Sequence, residues 1–236
     1  MQYMGSKRKI AKYILPIILK ERKPDQYYIE PFCGGCNTLD LVNGKRIGSD
    51  IHYELICYFA ALSVGWLPPK YINEDDYNRI KKGNDAKLKG YVGFSMSFAG
   101  KYFASQSRHI AGIKGAYKSL STDNTNGYRN AVKQQTLLKG VNFFHCSYDK
   151  LRLPTHSLIY CDPPYAGTTL YKNQTASFNY NVFYDWCRLQ KAKGHQIFIS
   201  EKKMPPDFKC VWEKETTMIM NQKKGPTLFV EKLFTL

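Results

Sequence analysis

Ile10, Tyr13, Ile14, Ile17 and Ile18 recur at helical spacing, so residues 6–22 read as a helix with one apolar face. Pro16 lies inside that stretch and should kink or restart the helix. The next apolar run, "QYYIEPF", is short and β-like, and it ends in the glycine loop "CGGCN". A helix is expected from near Thr38. A second strand is expected over Arg46–Ser49, closing on Asp50. Residues 54–64 are apolar on most sides and read as a helix packed on a sheet. The order helix, strand, glycine loop, helix, strand, acid, helix argues a parallel sheet covered by helices.

The pattern breaks at Trp66, where Leu67-Pro68-Pro69-Lys70 follows. It returns at Val141. "HSLIYCDPPY" is an apolar strand ending abruptly in two prolines. Residues 183–193, with Phe183, Trp186, Leu189 and Gln190 on one side, read as a helix stopped by Gly194. "HQIFIS" is another buried strand. "CVWEKETTMIM" and "KKGPTLFVEKLFTL" read as two strands joined by a Lys-Gly-Pro turn, an antiparallel edge on a mostly parallel sheet. The expected organisation is one α/β domain, residues 1–66 and 141–236, interrupted by an inserted lobe at 67–140.

Charge changes the picture of that insert. The chain of 236 residues carries a net +16. Residues 67–140 hold thirteen Lys and Arg against five Asp and Glu, so half of the excess lies in under a third of the chain. A field of this sign attracts polyanions. The insert is also rich in aromatics and glycines, which suits phosphates and bases equally with ordinary packing. Seven scattered cysteines form no secreted disulfide pattern, and no second close pair accompanies Cys33 and Cys36 to complete a zinc site. No apolar run is long enough to span a bilayer, and the first residues carry no signal pattern, so a cytoplasmic protein without membrane or metal partners is expected.

Three motifs carry chemistry. The strongest is Asp162-Pro163-Pro164-Tyr165, a tetrapeptide expected by chance on the order of once in a thousand chains of this length. It sits at the carboxyl end of a strand, where open α/β sheets bind ligands. Two prolines remove N–H donors and leave carbonyl acceptors. Asp162 adds a carboxylate and Tyr165 a flat ring. Such a site accepts hydrogen bonds from an amino group and stacks on a planar heterocycle, as a flipped-out base requires. The second motif is the loop from Glu30 through Pro31, Phe32, Gly34 and Gly35, followed after a second strand by Asp50. It lacks the dinucleotide fingerprint and suits a nucleoside cofactor without pyrophosphate. Asp50 reads either as a ribose acceptor or as a helix cap. The third is Tyr3-Met4-Gly5-Ser6-Lys7, where Lys7 alone would be a solvated surface residue.

In this order the motifs resemble the Dam-like, α-type amino-methyltransferases, the DNA adenine-N6 methyltransferases, over nearly the whole chain. Tyr3, Gly5 and Lys7 match the family's first segment. Pro31, Phe32 and Gly34 match its loop, Asp50 its acid, and residues 162–165 its DPPY signature. Ser200-Glu201 and "VEKLF" match later segments. Cys36 stands where the loop pattern has glycine. The resemblance implies a Rossmann-like S-adenosylmethionine-dependent methyltransferase fold, with 67–140 as the target-recognition lobe. It implies S-adenosylmethionine over the glycine loop, with Glu30, Gly34 and Gly35 beneath it. Asp50 would meet its ribose, and Ile51 and Tyr148 its adenine. Tyr3 and Lys7 would close its methionine end, and Gly5 and Asp162 are further candidate cofactor contacts. Asp162, Pro163, Pro164 and Tyr165 would hold a flipped adenine. Lys101, Arg108, Tyr128 and Arg129 are the candidate contacts to double-stranded DNA. Asn126-Gly127-Tyr128-Arg129 matches the family's GATC-reading hairpin only slightly. The expected protein is a monomer, or a dimer on DNA, acting in a bacterial cell or phage-infected host. Cytosine-N4 or RNA methylation, a catalytically silent DNA-binding relative, and a zinc or redox protein built on Cys33 and Cys36 are the alternatives.

Overall fold

The computed structural model describes residues 1, 3–97, 100–103, 118–165, 178–218 and 227–236. Seven strands form one sheet: β1 (Tyr28–Glu30), β2 (Arg46–Asp50), β3 (Asn142–His145), β4 (Leu158–Cys161), β5 (Gln196–Ser200), β6 (Lys209–Met218) and β7 (Thr227–Thr235). Their spatial order is β3-β2-β1-β4-β5-β7-β6. The first five run parallel, with Tyr28 opposite both Arg46 and Leu158. β7 pairs antiparallel with β5 and with β6. This is the mostly parallel sheet with an antiparallel hairpin that the sequence pattern predicts. The chain moves one way from β1 to β3 and the other way from β4, so the order reverses between β1 and β4. Ligands of such sheets sit at that reversal, beyond the carboxyl ends of the strands.

The two faces of the sheet bury alternate residues. On one face Tyr28, Leu158, Tyr160 and Leu233 share an apolar cluster with Ile14 and Ile18 of α1 (Ala11–Ile18), and with Leu55, Phe59 and Leu62 of α2 (Tyr53–Ser63). On the other, Ile29, Ile159, Cys161, Ile197 and Ile199 pack on Phe183, Trp186 and Cys187 of α6 (Tyr180–Ala192). Pro16 lies within α1 without ending it. The described part of 67–140 contains α3 (Glu74–Lys82), α4 (Ala86–Ser95) and α5 (Lys118–Leu137). Tyr77, Ile80, Tyr91, Phe94, Phe103 and Ala131 from this stretch join the same cluster as α1 and α2.

Two expectations change. The helix expected after Thr38 is only a 3₁₀ turn over Leu39–Leu41. Gly44, at φ +80°, ends the segment too soon for a further helical turn. The strand β3 at the sheet edge was not expected. Its residues are mostly exposed, so it carries no clear alternation.

Candidate active site

The parallel pairing of β1 with β4 brings Glu30 and Asp162 to the same edge of the sheet, at the point where strand order reverses. The loop after β1 turns sharply. Cys36 donates its amide to Cys33 O at 2.7 Å, and Cys33 donates to Ser49 O of β2 at 2.9 Å. Gly34 adopts φ +43° and Cys36 φ +53°. The position where the sequence pattern wanted a glycine is therefore left-handed, and a cysteine occupies it. Tyr3 lies across this loop. A Cβ on Gly34 would meet Tyr3 Cε1 at 2.7 Å, and one on Gly35 would meet Tyr3 Cβ at 2.6 Å. Tyr3 also packs on Phe94 of α4, with ring centres 5.5 Å apart.

Asp50 ends β2 beside this loop. Its Oδ2 accepts from Gly34 N at 3.0 Å, and its Oδ1 accepts from His52 N at 3.0 Å. The acid thus ties the glycine loop to the start of α2. Burial raises its carboxyl, and the two amides oppose that shift. Each oxygen has a further lone pair, so a ribose hydroxyl could still donate to it. Ile51 beside it is 54% exposed, an apolar surface next to an acceptor. Phe32 stacks on Tyr148 with centres 5.3 Å apart, and Tyr148 is packed edge-on against Phe183 and Trp186. An exposed aliphatic side chain, a ring stack and a carboxylate beside a glycine loop suit a nucleoside cofactor. Pro31 is buried behind the loop.

Glu30 is almost completely enclosed. Burial pushes its carboxyl up to about 8, while hydrogen bonds with Thr38 and Tyr28 hold it back. It accepts from the Tyr28 hydroxyl at 2.8 Å. Burial likewise raises the Cys33 and Cys36 thiols, the opposite of what a reactive cysteine needs. Among the described residues, no group of three or more His, Cys, Asp or Glu could hold a metal ion.

The second half of the site gathers around Lys7. Its Nζ lies 3.1 Å from Asp162 Oδ1, 3.8 Å from Glu231 Oε2 and 4.4 Å from the centre of the Tyr165 ring. It also donates to Gly5 O at 3.3 Å. Lys7 is buried, and not the solvated lysine that its position at a helix start would suggest. Burial pushes Asp162 up to about 6, opposed by Lys7 and reinforced by Glu231. The Tyr165 hydroxyl donates to Glu231 Oε2 at 2.9 Å. Pro163 is buried and Pro164 half-buried. The Pro164 carbonyl already accepts from the Tyr180 hydroxyl at 2.6 Å, so it is not an unopposed acceptor.

The chemistry is now legible. A carboxylate acceptor, a ring and a buried cation converge at the end of the sheet that carries the glycine loop. The model of the D12 class N6 adenine-specific DNA methyltransferases matches residues 3–82. This match supports a Dam-like adenine methyltransferase family. It supports an adenine DNA methyltransferase enzyme, and methyl transfer to adenine as its activity. The sheet order is that of a doubly wound, mostly parallel α/β sheet with an antiparallel hairpin. Two solved structures titled rRNA methyltransferase aviRa, from Streptomyces viridochromogenes, are similar in backbone. The one at 2.4 Å has 11% identity and a TM-score of 0.43, covering 97% of this chain and 84% of its own. The one at 1.5 Å has 12% identity and a TM-score of 0.44, covering 100% and 86%. No curated protein matches the chain.

Of the DNA contacts expected from the sequence, Lys101 and Arg129 are exposed and Tyr128 is half-buried, while Arg108 lies outside the described residues. Asn126–Arg129 is no hairpin. It lies within α5, where Gly127 faces Met96 Cε and the Tyr91 hydroxyl across a close helix contact. Three residues had no role assigned from the sequence. Glu231 stood there only as the acid of the matching segment "VEKLF", and Tyr180 as one aromatic among many. Gln134 of α5 is buried and donates to Gly35 O at 3.0 Å and to Asp40 Oδ2 at 3.2 Å, supporting the glycine loop from behind. A glutamine on a helix gives no signal for that. Among the described residues, no helix is long and apolar enough to cross a membrane.

Proposed function

We propose that this protein transfers a methyl group from S-adenosylmethionine to the N6 amino group of an adenine swung out of a specific double-stranded DNA sequence. One observation carries the reading: Asp162–Tyr165 leaves β4 at the reversal of the sheet, beside the Gly34–Gly35 loop. Gly34 and Gly35 let Tyr3 lie against the loop, Asp50 would accept from ribose hydroxyls, and Ile51 and Tyr148 would flank the purine. When bound, S-adenosylmethionine supplies an electrophilic methyl group on a sulfonium.

The residues of this chain do the rest by position. The Tyr165 ring stacks on the extruded base, replacing the stacking lost from the duplex. Asp162 and the Pro163 carbonyl accept the two N6–H bonds. The N6 lone pair is ordinarily delocalised into the ring. Two acceptors favour a pyramidal nitrogen, whose lone pair is then available for in-line attack. After attack, the surplus N6 proton is next to Asp162. Residues 67–140 serve as the recognition lobe, with Lys101, Arg108 and Arg129 on phosphates and Tyr128 near bases.

Incubating the protein with duplex DNA and radiolabelled S-adenosylmethionine, followed by nucleoside analysis, tests this. The label should appear in N6-methyladenine. Label in N4-methylcytosine, in RNA alone, or nowhere despite cofactor binding would overturn it.

A further inference from the structure

Lys7 stands between two carboxylates, and it pairs with the one the reaction needs. Its Nζ is 3.1 Å from Asp162 and 3.8 Å from Glu231. Only 7% of the lysine is exposed. A base amino group that donates to Asp162 competes with the ammonium for the same carboxylate and weakens that contact. Leaving the ammonium buried without an equivalent partner would be strongly unfavourable. Glu231 is the second carboxylate within reach.

The placement of Glu231 follows from strand register. β7 runs antiparallel to β5 with Ser200 opposite Leu233, so Glu231 lies two residues beyond the carboxyl end of β5. That is the edge from which Asp162 emerges. Glu231 shares the strand face of Leu233, which is wholly buried, and is itself only 8% exposed. An acid at such a position needs polar partners. It has the Tyr165 hydroxyl at 2.9 Å and the Lys7 ammonium. Moving Nζ by about 1 Å would bring it to ordinary ion-pair distance from Glu231. The ammonium could remain near the Tyr165 ring throughout.

Resting on the function proposed above, we propose that Glu231 is a positioning residue that takes over the Lys7 ammonium when a nucleobase amino group binds Asp162. The same carboxylate fixes the Tyr165 ring through its hydroxyl. The base therefore meets an acceptor released from its counter-ion and a ring already held in place. No bond is made or broken in this exchange; only the partner of the ammonium changes.

Single-turnover methyl transfer to duplex DNA, with enzyme in excess, tests the exchange in wild type, Glu231→Gln, Lys7→Met and the double variant. Glutamine can still accept from Tyr165 but cannot ion-pair with Lys7. The Glu231→Gln rate should fall about tenfold or more, with DNA affinity changed less than about twofold. In the Lys7→Met background the same change should alter the rate by less than about twofold, because the ammonium it serves is gone. Equal losses in both backgrounds, or no loss in either, would overturn the proposal. So would a loss reproduced by Tyr165→Phe and absent when Glu231→Gln is added to that variant, because Glu231 would then serve the phenol alone. Thermal melting followed by circular dichroism shows which variants are folded. If Glu231→Gln fails to fold, Glu231→Asp takes its place, and an effect independent of Lys7 would again overturn the proposal. A wild type that methylates no adenine defeats the functional reading and the exchange with it. An active wild type with additive variants defeats the exchange alone.

Discussion

The amide of Gly34 donates to Asp50 across 3.0 Å, so the acid that ends β2 holds the loop that follows β1. The other oxygen of Asp50 holds the amide of His52 before α2. Asp50→Ala leaves both N–H groups without their partner. Each loss costs about 1–3 kcal/mol where the group is buried. The melting temperature should fall, and calorimetric affinity for S-adenosylmethionine should drop about tenfold or more. Affinity within about twofold of wild type would mean that Asp50 serves the loop and not the cofactor.

The two loop glycines should respond differently to removal of the Tyr3 ring. A Cβ at Gly34 collides with the Tyr3 ring, whereas one at Gly35 collides with Tyr3 Cβ and with Asn37 Nδ2 at 2.7 Å. Tyr3→Ala removes the ring and keeps the Cβ. It should therefore recover part of the stability lost in Gly34→Ala and none lost in Gly35→Ala. The recovery should be partial because Gly34 sits at φ +43°, which costs about 1 kcal/mol for any L side chain. Urea unfolding of the single and double variants measures both.

Cys36 combines a left-handed backbone with complete burial. Cys36→Gly relieves about 1 kcal/mol of backbone strain and loses a similar amount of thiol packing, so stability should change by less than about 1 kcal/mol. Cys36→Val places a β-branched side chain at φ +53° in a closed corner and should cost about 2 kcal/mol or more. The difference between the two urea midpoints checks the assignment.

Glu30 gives a pH test. Its carboxyl is raised by burial from 4.5 to about 8. A group whose folded value lies above its unfolded value favours folding most below the unfolded value. That contribution is lost as pH rises through the folded value, here between about 4.5 and 8. Glu30→Gln keeps an acceptor for the Tyr28 hydroxyl and cannot ionise. The stability of wild type relative to this variant should therefore decline across that window and level off above it. Denaturant titrations at pH 5, 7 and 9 would show it; a constant difference would mean that Glu30 is not held neutral.

Much of the site could be read from the chain because its parts are local. Asp162–Tyr165 follows an apolar run directly, and Gly34–Gly35 follows another, so strand ends and motifs coincide in sequence. Ser49 and Asp50 were legible for the same reason. Glu231 was not, because its meaning depends on the register of β7 against β5, which no local pattern states. Nor was the burial of Lys7, which requires β4 and β7 to be in place. In residues 67–140 the aromatics suited base contact or packing equally. Tyr77, Tyr91, Phe94 and Phe103 proved to be buried side chains of the core. Asn126–Arg129 slightly matched a family hairpin, yet it lies within α5, where Gly127 serves a close approach to Tyr91 and Met96.

The strand β7 is made after β6 but lies between β5 and β6. β6 therefore has no place on the sheet until β7 has been inserted, and Glu231 reaches Lys7 by the same event. Placement of β6 and completion of the charge pattern both depend on β7. A nascent chain short of residue 227 could form the β1–β4 half and the glycine loop, but it would present Asp162 and Lys7 as an isolated pair. The finished site therefore waits until β7 has joined the sheet.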